Sequence, residues 1–303
     1  MTLLADEMTH DPGLRRPDRP TWLVLPVAAV LWWSVGFLPW LVAGASGRSG
    51  ADLLDGLAVA GRTPLPLDTP HLTVLVVGGV VGGIVAGLCG WLVPRRGLAL
   101  LATSGGVLVG VVATLSVSRR LVVETAPPGA FVADARVVTG LSAVVVGAAL
   151  AGWVIGAVGT SGRLGLALAL SLLAGLSPSW VAGLAAALGH DQLPWRATTW
   201  GTAALVAVAF VVAGSQPWYR LLWWPVCAAA AYAVAPPVTG LVNLPEHPRA
   251  GEAVTDLVQQ FWDVTKAAAD PALRPWLPWV VAVGVAVATT LLLELTRRRP
   301  TDS

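Results

Sequence analysis

Residues 72–93 read LTVLVVGGVVGGIVAGLCGWLV, an apolar run without one charged side chain. About 20 such residues, rising roughly 1.5 Å each as a helix, cross a hydrocarbon layer of about 30 Å. Within the run Gly78, Gly82, Ala86 and Gly90 recur every four residues, and Gly79, Gly83 and Gly87 form a second stripe beside them. Small residues at that spacing let another helix backbone approach closely, so the stretch predicts a membrane-spanning helix with two packing faces. The partner on those faces is either another helix of the same chain or a helix of a second protein.

The rest of the chain repeats the pattern. Uninterrupted apolar windows fall at 21–44, 71–93, 98–118, 137–158, 163–188, 198–214, 221–242 and 277–296, which predicts an all-α, polytopic transmembrane bundle of about eight spans. Residues 1–20 then form a polar tail, 21–296 the membrane domain and 297–303 a basic tail. With 55% hydrophobic and 12% charged residues and a mean hydropathy of +0.72, a single water-soluble core would leave large apolar patches exposed. The run from Trp22 to Gly44 is too long for the core of a cleavable leader, so Ala43-Gly44-Ala45 is read as part of an uncleaved first span.

The turns Pro94-Arg95-Arg96-Gly97 and Thr160-Ser161-Gly162-Arg163 are tight, so the spans that they join are antiparallel neighbours. With an even number of spans, Arg15, Arg16, Arg19, Arg95, Arg96, Arg163, Arg220, Arg297, Arg298 and Arg299 gather on one side. That side is expected to be the cytoplasm, with both termini in it and the protein in the cell membrane. Trp22, Trp91, Trp218, Trp223 and Trp224 would then mark inner ends, and Trp40, Trp195, Trp200, Trp276 and Trp279 outer ends, as an aromatic belt.

Two loops on the opposite side, 45–70 and 243–276, each hold a stretch that reads as a short amphipathic helix: 51–57 and 253–262. Asp52-Leu53-Leu54 aligns with Asp256-Leu257-Val258, a weak sign of an internal repeat.

A net charge of +2, with no basic surface of the kind that nucleic-acid binding needs, argues against a nucleic-acid partner. Lys266 is the sole lysine among 19 basic residues, and with the heavy Ala, Gly and Val usage this points to a high-GC bacterial genome. Cys89 and Cys227 each sit in an apolar run with no ligand spacing around them, so neither a metal nor a cofactor is expected. His190-Asp191 and Glu246-His247 lack such spacing too.

No ionisable residue falls near the middle of any predicted span; Glu294, near the end of the last, would pair with Arg298 or snorkel outward. Three features remain as candidates. Gly78, Gly82, Gly83, Gly87 and Gly90 are a helix-packing interface. Ser177-Pro178-Ser179 in the fifth span and Pro236-Pro237 in the seventh read either as ordinary proline kinks, the plainer reading, or as helix breaks that would line a cavity, the first freeing the carbonyl of Ala174 for Ser177 to satisfy. Asp52 and Asp55, one turn apart in a loop, are the weak catalytic candidates, against the plainer reading of a solvated helix face. These features suggest, in order, a non-catalytic membrane subunit or scaffold, a transporter or permease-like component for a solute or lipid, and an enzyme acting on a lipid-linked substrate. The expected partners are the lipid bilayer and another membrane subunit or a second copy of the chain.

Overall fold

The computed structural model describes residues 21–45, 63–125, 134–190, 194–244, 254–273 and 275–297. The protein is all-helical, and among the described residues seven helices are long and apolar enough to cross a membrane, or eight if one bent pair counts as a single span. In chain order these are the bent pair α1 (Val24–Gly36) and α2 (Leu38–Ala45), then α3 (Leu72–Leu88), α4 (Arg96–Thr125), α5 (Ala135–Gly159), α6 (Arg163–Ala187), α7 (Trp195–Ala213), α8 (Trp223–Val242), the amphipathic α9 (Val254–Ala268) and α10 (Leu277–Arg297).

Helix α3 is the axis of the first half. It packs against α1 on one side and most extensively against α5 on the other, while α4 closes over α1. The second half is built around α6, which takes α7 and α8 as neighbours, and α10 leans on α7. Burial falls along the chain: 56% of the apolar window of Leu72–Leu92 is buried inside the protein, against 17% for Leu277–Thr296. The last helix therefore exposes Val280, Val285, Leu291, Leu292 and Leu295, as a helix facing lipid does.

Several boundaries differ from the sequence expectation. The third span continues past residue 118 to Thr125, carried through its charged end by an Arg120–Glu124 pair at i, i+4 with Nε to Oε1 at 2.7 Å. The candidate breaks at Ser177-Pro178-Ser179 and Pro236-Pro237 are not breaks, because α6 and α8 each run through their prolines as one helix. In α6 the carbonyl of Ala174, which lost its donor to Pro178, accepts the Ser177 hydroxyl at 2.8 Å. Local repair of that kind keeps a proline helix continuous.

The break lies in the first span instead, where α1 and α2 meet at 67° around Phe37. Pro39 removes the donor that the carbonyl of Val35 would receive in a continuous helix. Trp180 of α6 supplies it from outside, its Nε1 lying 3.1 Å from the Val35 oxygen and 3.3 Å from that of Gly36. Where the replacement donor comes from another helix, the first need not stay straight.

The aromatic residues divide. Trp22, Trp218 and Trp276 are exposed as belt residues should be, but Trp40 and Trp224 are buried. The Trp224 ring stacks on Phe210 and its Nε1 donates to the Gly214 carbonyl at 3.2 Å. An indole is apolar enough for the interior and still satisfies a backbone acceptor there.

Candidate functional site

Two arrangements stand out, and helix α5 takes part in both. The first begins with the strap Thr63-Pro64-Leu65-Pro66-Leu67-Asp68-Thr69-Pro70-His71, which leads into α3. Three prolines rule out a regular helix or a sheet ladder for this stretch. Its alternate leucines anchor it: Leu65 and Leu67 are fully buried among Trp32, Phe37, Leu115, Val138, Leu141 and Val145 from α1, α4 and α5. Non-helical backbone so placed needs its polar groups answered by the protein. Trp33 Nε1 donates to the Pro64 carbonyl at 3.0 Å, Trp40 Nε1 to the Thr63 carbonyl at 2.9 Å, and Leu65 N–H to the Ser118 hydroxyl at 2.9 Å.

Asp68, at 3% exposure, is the one acidic or basic side chain among the buried residues described. Its Oδ1 lies 2.5 Å from His71 Nδ1 and also accepts the His71 backbone N–H at 3.2 Å. An ionised carboxylate can only accept, so a deprotonated Asp68 takes the Nδ1–H of His71 in this contact. The imidazole stands edge-on to Trp40, ring centres 5.0 Å apart, and is partly exposed. The Asp68–His71 contact thus closes the turn into α3 and fixes the carboxylate, leaving Oδ2 buried without a donor among the described residues.

The second arrangement is the set of glycine contacts. Gly78 and Gly82 face α1, where a side chain at either position would meet the backbone of Gly36 or Trp32. Gly83 and Gly87 face α5, where a Cβ would lie 2.5 Å from the Ala149 oxygen and 2.7 Å from that of Trp153. Gly152 and Gly156 answer from α5, against Val80 and Ile84. Gly90, at the end of the same segment, lies against Thr160 in the turn after α5. The stripes at the centre of the fold are therefore filled by helices of this chain. The opposite face of α5 is different. Gly140, Ala143, Gly147 and Ala151 are exposed there, and a Cβ at Gly140 or Gly147 would meet nothing within 4 Å.

Asp68 and His71 are not among the sequence candidates, because 45–70 reads from the sequence as an outer loop. The alternation of leucine and proline before Asp68 was the available signal, since a solvated loop has no use for Leu65 and Leu67 at that spacing. The open face of α5 is not among the sequence candidates either, although Ala143, Gly147 and Ala151 carry the same four-residue period as α3. Asp52 and Asp55 lie outside the described residues, as do Asp191, Glu246, His247 and Arg298. His190 is exposed at the end of α6, and Glu294 accepts the Ser215 hydroxyl at 2.6 Å, which ties α10 to the turn after α7. Among the described residues no three of His, Cys, Asp and Glu come together.

Comparison with protein-family models, with curated proteins and with solved structures finds no match to this chain.

Proposed function

We propose that this protein is a multi-pass subunit of the bacterial cell membrane, with both termini cytoplasmic, that acts by holding another membrane helix rather than by catalysis. The observation that carries this reading is the open small-residue face of α5, Gly140, Ala143, Gly147 and Ala151, set directly behind a face of the same helix that is closed against α3. Small residues let helices associate in lipid because backbone approach and van der Waals contact replace the missing hydrophobic drive. The α3–α5 contact shows this sequence using that mode of packing already, and the exposed stripe offers it once more. The more deeply buried first half gives such a partner its platform.

The test is purification of the tagged protein from its native membrane in mild detergent, wild type beside Gly147→Leu, with the co-purifying chains identified and quantified. A stoichiometric chain, either a second copy or another membrane protein, that is present with the wild type and lost with a well-folded Gly147→Leu supports the reading. Wild type that purifies as a lone monomer, or a partner retained equally by Gly147→Leu, contradicts it.

A further inference from the structure

The strap carries an independent observation that the assembly reading does not use. Asp68 is buried with Oδ1 engaged by His71, while Oδ2 has no donor among the described residues. The Thr63 hydroxyl, at the other end of the strap, is also buried without a partner among the described residues. Both ends meet at Trp40, whose Nε1 binds the Thr63 carbonyl and whose ring packs on His71. Pro64, Pro66 and Pro70 lack N–H groups, so carbonyls outnumber donors along the strap, and the N–H groups of Leu65 and Leu67 are already spent on Ser118 and on the Leu65 carbonyl. A buried carboxylate oxygen without a donor is costly, and such oxygens are ordinarily paired with a charge or bound to a metal.

We propose that the strap binds a small monovalent cation, with Na⁺ the best chemical fit, through Asp68 Oδ2 and neighbouring strap oxygens. The available donors are a carboxylate, a hydroxyl and peptide carbonyls, an oxygen-only set that suits a hard cation and does not suit a thiolate- or imidazole-seeking transition metal. Non-helical backbone inside a helical membrane bundle is where carbonyls become free to take part. His71 acts from behind the carboxylate as an orienting partner, as second-layer hydrogen bonds do at metal sites. Among the described residues, the charged side chains at the neighbouring helix ends, Arg119, Arg120 and Glu124 of α4 and Asp134 and Arg136 of α5, are exposed, and Arg120 is paired with Glu124.

The experiment is thermal melting of the full-length protein in detergent, titrated with NaCl or with choline chloride at matched ionic strength, together with saturable binding of radioactive Na⁺. The expected result is a melting temperature that rises saturably with Na⁺ alone, by roughly 5 °C at a hundredfold excess over the dissociation constant. Asp68→Asn, which keeps an oxygen for the His71 contacts, should lose the Na⁺ response, and Asp263→Asn on the exposed side of α9 should keep it. Equal melting in both salts, a Na⁺ response unchanged by Asp68→Asn, or the absence of saturable Na⁺ binding to the wild type would overturn the site. The direct binding measurement decides the question even if Asp68→Asn does not fold.

Discussion

The glycines of α3 and those on the outward side of α5 look alike in sequence and have opposite surroundings. Gly83 and Gly87 sit against the Ala149 and Trp153 carbonyls with no room for a methyl group, whereas Gly140 and Gly147 face open space. In lipid, where apolar side chains gain nothing by leaving an apolar solvent, a glycine stripe has value only through the backbone that it brings close. The α3 stripes are therefore spent on folding this chain, while the outward α5 stripe is open to another.

Substitution on the two stripes should separate those roles. Gly83→Leu carries the largest expected effect, because the atoms that it meets are backbone and the α3–α5 contact would have to open. A loss of roughly 3 kcal/mol or more should appear as failure to yield monodisperse protein in detergent. If Gly83→Leu purified with an unchanged melting temperature, the closed half of the comparison would fail. Gly147→Leu should leave melting of the detergent-solubilised monomer within about 0.5 kcal/mol of wild type and act only on association. A stability loss as large as that of Gly83→Leu would show that the outward stripe also serves the fold.

A smaller pair of effects sharpens a second contrast, between the proline that bends a helix and the proline that does not. Trp180→Phe removes the indole donor to the Val35 and Gly36 carbonyls at the 67° bend, and is expected to cost about 1 kcal/mol. Ser177→Ala removes the local repair at Pro178 within α6 and should cost about 0.5 kcal/mol, since such bonds in membrane helices average near that size. Denaturation in mixed micelles would rank them, and the reverse order would mean that the bend is held by packing of Phe37 rather than by Trp180.

Much of the architecture was legible in the sequence because the bilayer imposes length and polarity on every span at once. The span positions of α3, α5 and α6 follow from apolar run length and from the tight turns that follow α3 and α5. The bend at Phe37 was not legible, since Pro39 resembles Pro178 until the donor from Trp180, far away in the chain, is known. The strap was lost for a related reason: proline excludes regular structure but does not say whether the irregular chain lies in water or against Leu115 and Val138. The pairing of Asp68 with His71 needed only their spacing of three, yet its burial depended on that same placement. Asp52 and Asp55 offered a pattern of charge with no surrounding constraint, the weakest kind of signal that a single sequence provides.

The central claim, that α5 presents a face for another membrane helix, is tested most directly by native mass spectrometry of the protein released from mild detergent, wild type and Gly147→Leu in parallel. The account predicts a defined complex for the wild type, with a second copy or another chain in fixed ratio, and a folded monomer for Gly147→Leu. A wild type that is monomeric, or a complex of the same stoichiometry in both, would contradict it.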